Sequence, residues 1–291
     1  MYYSALIGKP TDHSVSHVLF SELAKAAALD DPYAHIKIDV EPIMLADSLP
    51  AFSTLGFVGI NVTLPYKLII KQYLDSSDDS AIKVGAVNTI KFDNGLSKGY
   101  NTDWYGIYTP ILKKLEGKTP HLIIVFGTGG AARAAIYAAH MLGARHVYVY
   151  YRKNDDNVSD ASEELIVNQK ILGIELHKYD DLGTHLGDAD VIINATSAGM
   201  TGSKSALPFA KESIEGTTFE NKIFLDAVFN PVETKLIKLF NEQGAYCIDG
   251  LWMMLYQAVL AMQVWLDKEL TVSDEALEEI HELLSKEVSH V

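Results

Sequence analysis

Short apolar runs alternate with amphipathic stretches along the first hundred residues of the chain. The runs at 2–8, 35–40 and 57–63 have the length and apolar character of strands. Between the first two, residues 16–29 carry apolar side chains at helical spacing, which predicts a helix. A second helix is predicted at 66–74, directly after Pro65.

Two further extended runs lie between residues 87 and 103, and Asn94-Gly95 separates them. This dipeptide is the strongest short-range signal for a hairpin, because both residues tolerate the left-handed backbone that a tight turn needs. The first part of the chain is therefore predicted to be α/β with an antiparallel edge.

From about residue 104, predicted strands and helices alternate regularly. The continuous apolar run at 121–127 is typical of a parallel strand that is covered on both faces. An alanine-rich helix is predicted at 131–142, and the charged segment 152–164 is predicted as a loop that runs into a helix. Further strands are predicted at 146–151, 191–196, 223–229 and 245–250.

The last part of the chain is predicted to be helical. Apolar residues cover nearly the whole circumference of 250–266, which predicts a deeply buried helix. A final helix at about 274–288 begins after Ser273, a residue type that caps helix N-termini.

The composition is that of a soluble globular protein, with 48% hydrophobic and 21% charged residues. A chain of 291 residues fits two domains of ordinary size. No apolar run approaches the roughly 18 residues of a membrane span, and the N-terminus lacks the layout of a signal peptide. The single cysteine, Cys247, allows no internal disulfide, and no Cys/His cluster has metal-ligand spacing. We therefore expect a cytoplasmic protein without a metal and without a membrane partner.

The formal net charge of −14 argues against nucleic acid as a partner, because a phosphate backbone requires a basic face. The same charge constrains small ligands. If this protein binds an anion, cationic side chains or helix N-termini must reverse the potential locally.

The stretch "VFGTGGAARAA" follows a predicted strand and opens a predicted helix. Gly127, Gly129 and Gly130 would let backbone N–H groups approach a pyrophosphate closely, since glycine has no Cβ. A dinucleotide is the favoured ligand in this strand-turn-helix context. A turn without a ligand, or one that holds another adenosyl ligand such as a methyl donor, stays open.

The end of the next predicted strand discriminates between cofactors. An acid there would bind the ribose 2′-hydroxyl of NAD, whereas an arginine accommodates the 2′-phosphate of NADP. The chain has Tyr151-Arg152-Lys153 at this position, two cations and no acid. The sequence therefore predicts NADP and disfavours a methyltransferase.

Several polar groups stand at predicted element ends in the first half. Ser14 and Ser16 lie two residues apart at a helix start, where they would suit a carboxylate, although capping alone explains one of them. Asp103 stands just before a predicted helix and is, by itself, better explained as an N-cap than as a catalyst. Lys67, eight residues after Gly59 in "GINVTLPYK", is either solvated or presented to a small polar substrate.

These motifs together resemble the shikimate dehydrogenase family over nearly the whole chain. The stretches that carry the resemblance are "GKPTDHSVSH", "GINVTLPYK", "GAVNT", "GYNTDWYG", "GTGGAARA", "NATSAGM", "DAVFNPVETKL" and "GLWMMLYQA". The resemblance implies NADPH-dependent reduction of 3-dehydroshikimate to shikimate, on the route to chorismate and the aromatic amino acids. It also implies an α/β fold of two domains, an N-terminal substrate-binding domain and a doubly wound Rossmann domain for NADP.

The resemblance assigns roles motif by motif. Lys67 and Asp103 match the catalytic pair. Residues that match the substrate site are Ser14, Ser16, Thr63, Lys67, Asn88, Asp103 and Gln257. Residues that match the cofactor site are Gly127, Gly129, Gly130, Ala131, Arg152, Lys153, Thr196, Met200 and Gly250. The chain departs from the usual pattern at His17, Tyr151, Lys153 and Trp252.

The order of the parts predicts a substrate domain of residues 1–103 with 245–291 and a cofactor domain of residues 104–244. The expected partner is a small cyclic acid, and the assembly stays open between a monomer and a homodimer. One rival function is a quinate dehydrogenase or a dual quinate/shikimate enzyme, with either NADP or NAD as its cofactor. Another is a catalytically silent relative that binds the same metabolites.

Overall fold

The computed structural model describes residues 1–152 and 173–289, and the chain divides into two compact units. The first unit comprises Met1–Thr102 and Gln257–Val291, and the second comprises Asp103–Tyr256. The domains predicted from the sequence differ from these units at residue 103 and at 245–256, and that functional division stays a prediction.

The first unit contains a six-stranded mixed sheet in the order β2-β1-β3-β5-β6-β4. Its strands are β1 Tyr2–Gly8, β2 Tyr33–Asp39, β3 Gly59–Val62, β4 Ser76–Ser77, β5 Thr89–Asp93 and β6 Leu96–Tyr100. Strand β1 pairs in parallel with β2 and β3, whereas β5 pairs antiparallel with β3 and β6. The predicted hairpin is confirmed, with φ of 49° at Asn94 and 84° at Gly95.

Helices α1 Ser16–Ala26, α2 Leu45–Thr54, α3 Asp79–Val84 and α9 Asp274–Val288 complete the first unit. The predicted helices at 16–29 and 274–288 are confirmed, and the Ser273 side chain accepts a hydrogen bond from the N–H of Ala276 as the expected cap. The sequence-based prediction did not include α2, which contains Pro50 in its interior.

The helix predicted at 66–74 is wrong. This segment forms turns followed by a short 3₁₀ helix, Ile70–Tyr73. The carbonyl of Lys67 accepts a hydrogen bond from the N–H of Val87, at 2.9 Å, so it is turned toward a neighbouring segment and not toward the next helical turn. Tyr66 and Ile70 are fully buried, which explains the four-residue apolar spacing that resembles a helix.

The second unit contains six parallel strands in the order β12-β11-β10-β7-β8-β9. Its strands are β7 Leu122–Phe126, β8 His146–Tyr151, β9 Ile174–Lys178, β10 Val191–Asn194, β11 Ile223–Asp226 and β12 Tyr246–Ile248. The helices described in this unit are α4 Asp103–Leu115, α5 Gly130–Met141, α6 Leu182–His185 and α7 Lys235–Glu242. This strand order, with the reversal between β7 and β10, is that of a dinucleotide-binding Rossmann sheet. All but the first residue of the segment predicted at 152–164 lies outside the described residues.

Helix α8, Gly250–Leu266, contributes residues to both units, and none of its residues is exposed. The prediction of a deeply buried helix is therefore confirmed. In the described part of the chain, no helix combines the length and the hydropathy that crossing a bilayer would require.

Replacing Gly59 by alanine is expected to destabilise the first unit. A Cβ on Gly59 would stand 2.1 Å from Nε1 of Trp265 and 2.4 Å from the carbonyl oxygen of Ile90, and Trp265 Nε1 donates a hydrogen bond to that same oxygen at 2.9 Å. Overpacking of this kind costs about 3 kcal/mol. Urea unfolding followed by circular dichroism measures the loss.

The matched control is Gly187→Ala, where the nearest atom to the new Cβ lies 3.9 Å away. We expect this variant to keep its unfolding free energy within about 1 kcal/mol. Equal stability of Gly59→Ala and the wild type would contradict the close packing at Trp265.

Candidate functional site

The predicted carboxylate-binding serines stand on the turn between β1 and α1. Ser16 is the first residue of α1, and Ser14 Oγ accepts a hydrogen bond from its backbone N–H at 3.2 Å. Ser16 is buried, and its Oγ has no hydrogen-bond partner among the described residues. A buried hydroxyl in this state requires an explanation, and a ligand oxygen is a suitable one.

The turn that carries these serines is fixed from the neighbouring strand β2. Nζ of Lys37 donates hydrogen bonds to the carbonyl oxygens of Ser14, at 2.9 Å, and Asp12, at 3.0 Å. Oδ1 of Asp39 accepts from the hydroxyl and the backbone N–H of Thr11, and these bonds lower the pKa of the Asp39 carboxyl. Lys37 thus places a cation beside the predicted carboxylate site.

Asn88 is the centre of a buried hydrogen-bond network. Its Nδ2 donates to Thr102 Oγ1 at 2.9 Å and to Gln257 Oε1 at 3.4 Å, and its Oδ1 accepts from the N–H of Thr102 at 2.7 Å. Thr102 Oγ1 also donates to Gln257 Oε1, at 3.2 Å. The structure therefore brings together two predicted substrate residues, Asn88 and Gln257, that are far apart in the sequence.

Thr63 and Lys67 follow strand β3 at its carboxyl end. The N–H of Thr63 donates to the carbonyl of Ile7, and the hydrogen bond from Val87 N–H to Lys67 O holds the turn beside the segment that contains Asn88. Lys67 is partly buried. The predicted proton donor and the predicted substrate amide thus lie on adjacent hydrogen-bonded segments of the first unit.

Asp103, the second member of the predicted catalytic pair, is the first residue of α4 and is buried. The preceding residue, Thr102, is held by Asn88 through both its N–H and its hydroxyl. The backbone just before Asp103 is therefore fixed by the same network that contains the substrate amide. Asp103 is the first residue of the second unit.

The glycine turn lies between β7 and α5, as the sequence predicts. Gly127 has a φ of 106°, and a Cβ there would stand 3.0 Å from Thr196 Cγ2, so this position requires glycine. Gly129 has open space around its Cα, and Gly130 and Ala131 begin α5 with backbone N–H groups that have no partner within the helix. These residues fit a dinucleotide pyrophosphate.

The other predicted cofactor residues lie on the turns that follow β8, β10 and β12. Arg152 is exposed directly after β8, and Lys153 lies outside the described residues. Met200 is 40% exposed on the turn after β10. Gly250 opens α8, and a Cβ there would collide with the backbone of Val228 at 2.5 Å.

A second buried network fixes the turns after β10 and β11, with Asp226 at its centre. Its carboxylate accepts from Asn194 Nδ2 at 2.8 Å, from the N–H of Val228 at 3.0 Å and from Thr234 Oγ1 at 2.6 Å. Asn194 Oδ1 in turn accepts from Thr196 Oγ1, at 2.7 Å. Burial raises the pKa of Asp226 to about 6 despite the three donors.

Sequence reasoning missed Lys37, Thr102 and Asp226. Lys37 alternates with apolar residues in a strand and gives no motif signal. Thr102 stands beside Asp103 in "GYNTDWYG", and Asp226 begins "DAVFNPVETKL", so both lie within stretches that carry the family resemblance. A polar residue directly after an apolar run was the available signal for Asp226.

Comparisons with known proteins agree with these motifs. A family model for the shikimate dehydrogenase substrate binding domain matches residues 6–90. The shikimate dehydrogenase (NADP(+)) of Methanocaldococcus jannaschii is 34% identical over 261 residues, which is 89% of each chain.

Solved structures share the whole fold. A shikimate 5-dehydrogenase from Listeria monocytogenes, in complex with shikimate and NAD, superposes with a TM-score of 0.82 at 28% identity, covering 98% of this chain and 96% of that one. Quinate dehydrogenase from Corynebacterium glutamicum, in complex with NAD, gives a TM-score of 0.83 at 24% identity, covering 98% of this chain and 99% of that one. At 24% identity, the similarity to the quinate dehydrogenase shows the fold alone.

The ionisation of Asp226 is expected to make stability depend on pH. Its folded-state pKa of about 6 exceeds the ordinary value of 3.8, so the stabilisation it provides when protonated is lost as pH rises from about 4 to above 6. The stability difference between the wild type and Asp226→Asn should therefore fall by about 3 kcal/mol over that range. Urea unfolding at a series of pH values measures it.

Asp188→Asn, which neutralises an exposed acid of the same unit, serves as the control and should show no such trend. A difference for Asp226→Asn that stays flat or grows with pH would refute the raised pKa.

Proposed function

The chain belongs to the shikimate dehydrogenase family, and on that premise we propose that its own residues carry out the NADPH-dependent, reversible reduction of 3-dehydroshikimate to shikimate. The enzyme is an oxidoreductase that acts on a CH–OH group, in the route to chorismate and the aromatic amino acids. Identity of 34% over nine-tenths of an NADP-dependent relative supports both the reaction and the cofactor.

One structural observation carries the assignment of residues. The hydrogen bond from Val87 N–H to Lys67 O supports it, because this bond joins the turn that carries the proposed proton donor to the segment that carries Asn88. Asn88 and Gln257 share Thr102 as a partner, so both amides are oriented before a substrate arrives. Preorganised polar groups of this kind bind ring hydroxyls without a large cost of ordering.

The substrate carboxylate is assigned to Ser14 and Ser16. The unpaired Oγ of Ser16 and the helix N-terminus of α1 supply donors, and the Lys37 ammonium adds positive potential at the same turn. Thr63 is assigned to a ring hydroxyl, as the family resemblance implies.

Lys67 is the proposed general acid. When NADPH is bound, it supplies the hydride that reduces the carbonyl carbon. The π electrons of the carbonyl then move to its oxygen, and the ammonium of Lys67 donates a proton to that developing alkoxide. Lysine becomes neutral in this step and recovers its proton from water. Asp103 is assigned as the second member of the catalytic pair, as the family resemblance implies.

Gly127, Gly129, Gly130 and Ala131 would hold the pyrophosphate of the cofactor, and Arg152 and Lys153 its 2′-phosphate. Thr196, Met200 and Gly250 are assigned to the nicotinamide end. The Asp226 network fixes the turn that contains Thr196. It also fixes the turn at Val228, whose backbone lies against Gly250.

Two further elements of the sequence-based picture stay predictions, namely the cytoplasm as the location and the homodimer as the assembly. A quinate or dual quinate/shikimate dehydrogenase, with either NADP or NAD, stays the rival function. Measurements of kcat/KM for shikimate and quinate, each with NADP⁺ and NAD⁺, separate these alternatives. A shikimate-dependent rise in absorbance at 340 nm separates the enzyme from a silent relative.

Lys67→Ala is expected to lower kcat for shikimate oxidation by roughly 10²–10⁴-fold, the range for loss of general acid–base catalysis. Binding of NADPH, measured by its fluorescence, should be retained, because Lys67 belongs to the proposed substrate site. The control is Lys71→Ala, which removes an exposed lysine side chain four residues further along.

Activity of Lys67→Ala equal to the wild type would remove this lysine from the mechanism. A loss of NADPH binding together with activity would instead show that the variant disturbs more than proton transfer.

A further inference from the structure

A cavity of about 550 Å³ lies in the second unit at the carboxyl ends of β8 and β9. Three separate segments of the chain line it, namely 151–152, 178–180 and 204–210. Its lining residues are Tyr151, Arg152, Lys178, Tyr179, Asp180, Lys204, Ser205, Leu207, Pro208, Phe209 and Ala210. The carboxyl edge of a parallel sheet is where ligands of this fold bind.

The charges in this cavity oppose those of the whole protein. Among the described residues that line it, Arg152, Lys178 and Lys204 are cationic and Asp180 is acidic, whereas the chain carries a formal net charge of −14. A local surplus of cations in an acidic protein attracts an anion to this place.

The register between β8 and β9 explains why Lys178 belongs to the cavity. Tyr151 and Lys178 are paired residues of two adjacent parallel strands, each the last residue of its strand. Paired residues on neighbouring strands lie on the same face of a sheet, about 5 Å apart. Lys178 therefore stands beside the strand end that Arg152 directly follows.

The turn that carries Lys204 is fixed by hydrogen bonds on both sides of it. Ser203 Oγ donates to the carbonyl of Ser205 at 3.2 Å, and Ser205 Oγ donates to the carbonyl of Leu207 at 2.5 Å. The N–H of Gly199 donates to the carbonyl of Ser205, which ties the turn to the end of the "NATSAGM" stretch. Lys204 is thus held on an ordered turn next to the predicted cofactor residues.

We propose that Lys178 and Lys204 bind the 2′-phosphate of NADP in this cavity, together with Arg152, and so determine the preference of the enzyme for NADP over NAD. The inference rests on the proposed NADP-dependent function and adds two residues to it. A phosphomonoester carries close to two negative charges and three acceptor oxygens, so one arginine leaves acceptors for two further donors. Apolar residues of the same lining, such as Leu207 and Pro208, suit the adenosine that carries the phosphate.

The test measures binding by calorimetry with four probes, NADP⁺, NAD⁺, 2′,5′-ADP and 5′-AMP. The variants are Lys178→Gln, Lys204→Gln and the double variant. Arg152→Ala is the reference, because the sequence already predicts that Arg152 binds the 2′-phosphate. Each lysine variant should lower the affinity for NADP⁺ and for 2′,5′-ADP by about tenfold, since a charge-assisted hydrogen bond is lost. The affinities for NAD⁺ and 5′-AMP should change by less than about twofold. Retained binding of these two probes also shows that the variants are folded.

Lys211→Gln is the matched control, because this exposed lysine follows the cavity segment directly without lining it. It removes the same charge from the same region and should leave all four affinities unchanged. The proposal is overturned if Lys178→Gln and Lys204→Gln weaken the phosphorylated and unphosphorylated probes equally, or neither of them. It is also overturned if Lys211→Gln has the same effect as they do, since the effect would then be one of net charge.

Failure of the proposed function gives a different result. In that case the wild type would not reduce NADP⁺ with shikimate, although the probes would still report whether the cavity binds a 2′-phosphate. Failure of the present inference alone would leave shikimate oxidation intact and the ratio of NADP⁺ to NAD⁺ affinity insensitive to both lysines.

Discussion

An acidic protein that binds a carboxylate and several phosphates must reverse its own potential at each of these groups. With 38 acidic and 24 basic side chains, the surface as a whole repels such ligands. The structure meets this constraint with a few cations and backbone N–H groups that are held in place. The Lys37 ammonium lies at the serine turn, α5 presents its N-terminus after the glycine turn, and Arg152 stands at the end of β8.

Holding polar groups in place requires buried hydrogen bonds, because an unsatisfied polar atom in the interior is costly. The Asn88 network lies where β5 begins and β6 ends in the first unit, and the Asp226 network lies at the carboxyl ends of β10 and β11 in the second. In the Asn88 network, the hydrogen bonds among Asn88, Thr102 and Gln257 join amide groups, a hydroxyl and a backbone N–H, and they orient both amides. The Asp226 network contains a buried carboxylate, and burial raises its pKa because desolvation outweighs the three donors. The interior of the second unit thus contains a carboxyl group, that of Asp226, whose surroundings disfavour its ionised form.

Much of the fold was accessible from local pattern, and the failures have identifiable causes. The boundaries of β1 and α9 agree with the apolar periodicity because packing inside each unit follows the same period. The hairpin at Asn94-Gly95 is specified by its own turn chemistry. The helix predicted at 66–74 was wrong because the carbonyl of Lys67 accepts a hydrogen bond from Val87, a partner that no local pattern reveals. The sequence-based prediction also did not include the short strand β9, "IELHK".

The same distinction between local and tertiary information applies to the site. Motifs indicated Lys67, Asn88 and the glycine turn, because each lies in a stretch whose residue types are themselves unusual. Lys178 and Lys204 carry no such signal, since a lysine in a polar strand or turn is usually solvated. Only the pairing of β8 with β9 and the turn after β10 bring these lysines to the cavity that contains Arg152. Their effect there is local, because at physiological ionic strength exposed charges beyond about 8 Å are largely screened. An anion in this cavity therefore experiences mainly the nearby cations, and the many acids elsewhere on the surface contribute little to the choice between NADP and NAD.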